Sequence, residues 1–141
     1  MPRVVKILMI KADPARIIEY VADPANHPAF VGPLKSVSGA NGDAKTPGAS
    51  WDWTFLVAGV ELSGTAETVA FEAGRRFSCR TSSGLKGTVT YRAEKAKVGS
   101  KVMVEITYEE PRTLLAKRAV AKLQGDEGAR ALESLKAILD Q

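Results

Sequence analysis

The fold is decided by residues 51–72, which read WDWTFLVAGVELSGTAETVAFE. The first part of this stretch alternates large apolar with polar side chains: Trp51, Asp52, Trp53, Thr54 and Phe55. Such alternation is typical of a β-strand that has one face on the core. Ala58-Gly59 then turns the chain into a longer strand, so the stretch predicts an antiparallel hairpin.

The longer strand of this hairpin changes its apolar face along its length. Val60 and Leu62 share one parity, whereas Val69 and Phe71 share the other. A strand whose apolar face switches needs a bulge or a sharp bend, and Gly64 is the natural place for it. We therefore predict a strongly curved sheet.

Strand patterns extend outward from the hairpin in both directions. Short connections between consecutive strands predict an antiparallel meander toward the C-terminus. The β-branched run Val4–Ile10 adds a first strand, and Leu34–Ser38 adds a short one before the loop at 39–49. The predicted strands, about seven in all, are 4–10, 34–38, 50–57, 60–72, 77–82, 86–94 and 101–108.

Two helix-start signals follow the first strand. Ala12-Asp13-Pro14 and Ala22-Asp23-Pro24 each place an aspartate at the N-cap and a proline at the first helical position. Each predicts a short helix, and Pro28 with Gly32-Pro33 limits the second one.

The end of the chain has the pattern of a long amphipathic helix over residues 113–140. Gly125-Asp126-Glu127-Gly128 interrupts the pattern, which predicts a kink or a break with Asp126 capping the second half. The residues expected to cover the sheet are Leu115, Ala119, Val120, Leu123, Leu132 and Leu135.

Length and composition fit one ordinary globular domain over residues 1–141. No apolar run approaches the ~20 residues of a membrane span, and the N-terminus lacks a signal-peptide pattern. One cysteine and one histidine exclude a disulfide framework and a zinc site built on these ligands. We expect a cytoplasmic protein, monomeric or homodimeric, without metal or cofactor.

The net charge of +4 is unevenly distributed. Residues 49–72 carry only acidic charges, and residues 75–101 carry mostly basic ones. A basic patch for an anionic partner is one interpretation, and pairing between neighbouring strands is the favoured one. The basic residues are not interleaved with exposed aromatic ones, so no nucleic-acid partner is expected.

The order of these elements resembles the START-like superfamily, also called SRPBCC. The resemblance covers nearly the whole chain and is carried by residues 10–17, 21–24, 68–77, 99–102 and 132–136. It implies the helix-grip fold, an α+β fold in which a curved antiparallel sheet wraps round a long C-terminal helix. This fold hosts carriers, cyclases and chaperone cofactors, so it does not specify one function.

Three residues are considered as possible reactive or catalytic groups: His27, Cys79 and Glu67. His27 is favoured as a surface loop residue, and Cys79 as a small buried hydrophobe rather than a reactive thiol. Glu67 faces the cavity if the strand bends at Gly64, where it would be a perturbed carboxylate able to serve as the catalytic group. If the bulge follows Glu67, its side chain lies outside, beside Arg80, and this is the favoured alternative.

An apolar pocket is expected between the sheet and the C-terminal helix. The favoured function is binding of a small apolar or amphipathic molecule, of lipid, isoprenoid or aromatic polyketide type. Two alternatives are a polyketide cyclase or dehydrase that uses Glu67 or a tyrosine as acid and base, and a protein-interaction module. The expected ligand-binding residues are Trp53, Phe55, Phe71, Phe77, Val89, Tyr91, Val104, Tyr108 and Leu123.

Overall fold

The computed structural model describes residues 3–32, 34–57, 59–82, 86–109, 114, 117 and 127–140. The strands are β1 Arg3–Ile10, β2 Leu34–Asn41, β3 Ser50–Val57, β4 Val60–Glu72, β5 Arg76–Thr81, β6 Gly87–Lys95 and β7 Ser100–Tyr108. The helices are α1 Pro14–Val21, a 3-10 turn Pro24–Asn26, α2 His27–Phe30 and, at the C-terminal end, α3 Glu127–Leu139.

All seven strands form one antiparallel sheet in the order β1-β7-β6-β5-β4-β3-β2. Strands β2 to β7 are neighbours in sequence order, so they form an antiparallel meander. Strand β1 pairs with β7 over its whole length, from Arg3 opposite Thr107 to Ile10 opposite Ser100. The α+β class, the curved antiparallel sheet and the two short helices after the first strand agree with the sequence prediction.

The irregularity in β4 does not lie where the sequence predicted it. Strands β3 and β4 pair without a shift past Gly64, which lies directly opposite Trp53. The register shift falls between Thr68 and Ala70, against β5. A bulge there leaves Val69 exposed and returns Phe71 to the inner face. The predicted change of parity is therefore correct for Phe71, whereas the inward position of Val69 and the bend at Gly64 are wrong.

Helix α1 begins at Pro14, as its start signal predicted. Ile17, Ile18 and Val21 form its buried face, which contacts β5 and β6. Asp23 caps the second start, where its side chain accepts a hydrogen bond of 3.0 Å from the backbone N–H of Ala25. The two starts therefore give two separate helical segments at one end of the sheet.

Helix α3 packs against β1 and α2. Leu132, Leu135 and Leu139 are buried in the same cluster as the side chains of the sheet. A 2.8 Å hydrogen bond from the backbone N–H of Lys11 to the carboxylate of Asp140 ties the end of α3 to the β1–α1 junction. None of the helices in the described part of the chain is long and apolar enough to cross a membrane.

Part of the predicted C-terminal helix lies outside the described residues. This part includes the predicted contacts of Leu115, Ala119, Val120 and Leu123, and the capping role of Asp126. The last two residues of the predicted interruption, Glu127 and Gly128, belong to α3.

Replacement of Leu135 by alanine tests the contribution of α3. Leu135 is completely buried, so Leu135→Ala should lower the free energy of unfolding by about 3 kcal/mol. Ile138→Ala is the matched control, because Ile138 is 40% exposed and its loss should cost less than about 1 kcal/mol. Urea unfolding of both variants measures the difference, and equal costs would contradict this packing of α3.

Candidate functional site

A cavity of about 220 Å³ lies on the inner face of the sheet, and Ala131 of α3 contributes to its wall. Its lining is mostly apolar because alternate residues of β3, β6 and β7 point inward. Of the predicted ligand-binding residues, the following line the cavity: Trp53, Phe55, Val89, Tyr91, Val104 and Tyr108.

Three of the predicted ligand-binding residues are not part of this lining. Phe77 is completely buried, and its ring lies 6.5 Å from that of Trp51 in a stacked arrangement. Phe71 pairs with Phe77 across the strands and packs on the core from a partly buried position. Both residues therefore pack in the hydrophobic core. The third residue, Leu123, lies outside the described residues.

His27 is buried, so its predicted position on a surface loop is wrong. Only 8% of the residue is exposed, and it lines the cavity. Its ring contacts Phe30 and Trp51 edge-on, with ring centroids 5.7 Å and 6.1 Å apart. The sequence carried a signal for this burial, since Pro24, His27 and Phe30 are spaced by three and form one buried face.

The hydrogen bond of His27 fixes its tautomer. The ring nitrogen Nε2 lies 2.7 Å from the carbonyl oxygen of Val21, so Nε2 carries the hydrogen and donates a hydrogen bond to this oxygen. Burial lowers the pKa of His27, and this effect exceeds the opposing effects of the Val21 carbonyl and of Asp23. The neutral ring therefore has an unprotonated Nδ1, which can accept a hydrogen bond.

Two weakly acidic groups on neighbouring strands line the cavity. Burial raises the pKa of the Cys79 thiol to about 12, so this thiol is a small apolar group and not a nucleophile. This agrees with the favoured interpretation of Cys79 as a small buried hydrophobe. Burial also raises the pKa of the Tyr91 hydroxyl, and the nearby Cys79 adds to the effect. Tyr91 therefore offers a neutral hydroxyl to the cavity.

Glu67 does not reach the cavity, so its candidate role as a catalytic carboxylate is not supported. Ala66 and Thr68 point inward, and Glu67 between them points outward. Arg80 lies directly opposite and donates a hydrogen bond of 3.1 Å from Nε to Glu67 Oε1. The favoured alternative, a solvated Glu67 paired with Arg80, is confirmed.

The charged residues of the lining lie at one end of the cavity. Lys86 and Glu109 line this end, are exposed to solvent, and are joined by a 2.9 Å hydrogen bond from the Glu109 backbone N–H to the Lys86 carbonyl. Among the described residues, no cluster of histidine, cysteine and carboxylate groups could hold a metal ion. The cavity is therefore neutral in its interior and charged only where it meets solvent.

Comparison with protein families identifies one match. The family model described as polyketide cyclase / dehydrase and lipid transport matches residues 1–140. This match confirms the resemblance to the START-like superfamily and supports hydrophobic ligand binding or cyclase-type activity in general. No curated protein sequence matches the chain.

Solved structures share the fold at low sequence identity. TTHA0849 from Thermus thermophilus has a TM-score of 0.80 at 18% identity, with 98% of this chain and 97% of that chain covered. The ZhuI aromatase/cyclase from Streptomyces sp. R1128 has a TM-score of 0.81 at 11% identity, with coverages of 98% and 93%. Ginseng major latex-like protein 151 from Panax ginseng has a TM-score of 0.74 at 13% identity, with coverages of 98% and 97%.

The buried histidine predicts a defined pH dependence of stability. The pKa of His27 lies below 6.5 in the folded chain and near 6.5 in the unfolded chain. Between these two values the unfolded state binds a proton that the folded state does not, so the free energy of unfolding falls as pH decreases through this window. Above the window His27 contributes no pH dependence.

Urea unfolding from about pH 7.5 down to about pH 5 measures this effect, which amounts to at most ~1.4 kcal/mol per pH unit. His27→Gln keeps an N–H donor but removes the titrating group, and should flatten the curve over this range. An unchanged slope in the variant would show that the pKa of His27 is not lowered.

Proposed function

Because the chain belongs to the polyketide cyclase/dehydrase and lipid transport family, we propose that it binds a small apolar or amphipathic molecule in the cavity between the sheet and α3. The observation that carries the proposal is the cavity itself. An apolar space of about 220 Å³ is large enough for a ligand and too apolar to hold water favourably.

The dimensions of the cavity favour a compact ligand. Its volume lies just below the range of ~300–1,000 Å³ that is usual for small-molecule sites. Aromatic side chains of Trp53, Phe55 and Tyr91 line it, and flat rings pack well against such a lining. Among lipid, isoprenoid and aromatic polyketide ligands, these features support a ring system or a short isoprenoid over a long acyl chain.

The alternative function, a cyclase or dehydrase, has lost its carboxylate candidate. With Glu67 on the outer face, the tyrosine candidate that is buried in the cavity is Tyr91. Burial raises the pKa of its hydroxyl, which makes Tyr91 a weak acid and suits it to hydrogen bonding rather than to proton transfer near neutral pH. Another buried titratable side chain of the lining, His27, is anchored by its hydrogen bond to the Val21 carbonyl, and the described residues include no carboxylate in the interior of the cavity that could act as its partner. These features favour binding over catalysis.

A fully packed interior would favour the protein-interaction alternative. The cavity instead favours binding of a small molecule. The single domain over residues 1–141, the cytoplasmic location, the monomeric or homodimeric state and the lack of a nucleic-acid partner stay predictions.

Native mass spectrometry of the freshly purified chain is the direct test of ligand binding. We expect a fraction of the molecules to carry an additional mass that is released on denaturation. A neutral dye of matching size, 6-propionyl-2-dimethylaminonaphthalene, should bind to the remaining fraction with a blue-shifted emission. Absence of both the additional mass and dye binding would contradict the proposal.

A tryptophan in place of Val89 should block the cavity. Val89 lines the cavity between Cys79 and Ile106, so Val89→Trp fills space that the ligand needs and should weaken dye binding at least about tenfold. Val5→Trp is the matched control, since Val5 lies exposed on the outer face of β1. Glu67→Gln should also leave dye binding unchanged.

Dye titrations, together with thermal unfolding to confirm that each variant is folded, measure these effects. Equal binding by the wild-type chain and Val89→Trp would place the dye outside the cavity and contradict the proposed site.

A further inference from the structure

The indole N–H of Trp53 is a buried donor that has no hydrogen-bond partner among the described residues. Only 4% of Trp53 is exposed, and the side chain lines the cavity. Nearly all buried polar groups in proteins have a partner, so a donor left unpaired in a native site needs an explanation.

The neighbours of Trp53 in the sheet explain why it is unpaired. Directly opposite it lie Gly64 on β4 and Val37 on β2, and neither has a side chain that can accept a hydrogen bond. Along β3, the inward neighbours are Trp51 and Phe55, which are also not acceptors. Strand β3 pairs on both sides, so its own backbone carbonyl groups serve the two ladders.

The position of the indole ring is well defined. The ring of Phe55 lies 5.1 Å from that of Trp53 at an angle of 52°, which supports one side of the indole. Gly64 adds no side chain next to Trp53 on the inner face. The glycine that the sequence suggested as a bend thus lies opposite the tryptophan in a regular part of the sheet.

An unpaired buried N–H costs about 1–3 kcal/mol, and an acceptor that enters the cavity recovers this free energy. A water molecule is a poor partner there, because an ordered water needs 2–4 polar partners and the lining near Trp53 is apolar. Because no described residue supplies the acceptor, we expect it on the ligand.

The acceptor must also be uncharged. Lys86 and Glu109 are the charged side chains among the described lining residues, and both lie at the end that meets solvent. A carboxylate or phosphate next to Trp53 would be buried without a counter-charge, which is strongly unfavourable. A ketone, aldehyde, ester or ether oxygen satisfies the donor without this cost.

We infer that Trp53 selects ligands that carry a neutral acceptor oxygen, best a carbonyl, on an apolar ring-sized body, and that the indole N–H donates a hydrogen bond to this oxygen. The inference rests on the proposed function and specifies the chemical class of its ligand.

A pair of nearly isosteric probes tests the inference. In 2-acetylnaphthalene the body carries a ketone, and in 2-isopropenylnaphthalene a methylene group replaces the ketone oxygen. Trp53→Phe keeps an aromatic ring and removes the donor. We expect this substitution to weaken binding of the ketone about tenfold relative to its effect on the alkene, as for the loss of one buried hydrogen bond.

Indole N–H signals give a second measurement on the unmodified chain. The sequence contains two tryptophans, so the spectrum of a ¹⁵N-labelled sample has two indole signals, and Trp53→Phe identifies the signal of Trp53. We expect the ketone to shift the Trp53 proton signal downfield, as hydrogen bonding does, and the alkene to cause no such downfield shift.

The outcomes separate the inference from the proposed function. If both probes bind and Trp53→Phe weakens them equally, with no downfield shift specific to the ketone, the inference is wrong and the proposed function stands. If neither probe binds to the folded chain, the proposed function fails and the inference fails with it. A ketone-specific loss of affinity together with a ketone-specific shift supports both.

Discussion

Packing of the three helices against one end of the sheet is the interaction on which the rest of the structure depends. Helices α1 and α2 and the leucines of α3 bury this end together with Phe77 and Trp51 in one continuous cluster. The cavity lies on the inner face of the seven-stranded sheet, where the described side chains leave a space of about 220 Å³ unfilled. Trp51, Trp53 and Tyr91 belong both to this cluster and to the lining of the cavity, so one inner face supports the fold and shapes the proposed site.

The outer face of the sheet keeps charge away from this inner face. Acidic residues of β4 lie beside basic residues of β5, as in the pair of Glu67 and Arg80, and Glu94 of β6 pairs with Lys101 of β7 at 3.7 Å. Exposed pairs of this kind contribute little to stability. Because side chains alternate between the two faces of a strand, the charged members of these pairs lie on the outer face and neutral side chains lie on the inner face. The pairing predicted from the uneven charge distribution is therefore found in these strands.

The sequence predicted the fold well because alternation, turns and helix caps are local signals. It was less successful where the face occupied by a side chain depended on a shift of one residue in the strand register. The bulge after Thr68 decides that Glu67 points outward and Phe71 inward, and nothing local distinguishes this position from Gly64. His27 was misplaced for another reason: the spacing by three of Pro24, His27 and Phe30 indicates a buried face, but Trp51, which completes the burial of His27, is a tertiary contact. The unpaired N–H of Trp53 likewise follows from which strands become neighbours.

Cys79 gives this architecture a built-in reporter of its own motions. The chain contains one cysteine, and its thiol lines the cavity while remaining protonated and shielded by the surrounding sheet. The thiolate is the reactive form, so an alkylating reagent modifies this sulfur only after the chain opens locally and lets the thiol ionise. The rate of alkylation therefore records how often the sheet opens around Cys79, and any molecule that binds only to the closed chain slows this rate. Local opening thereby becomes a kinetic quantity that is read at one sulfur atom.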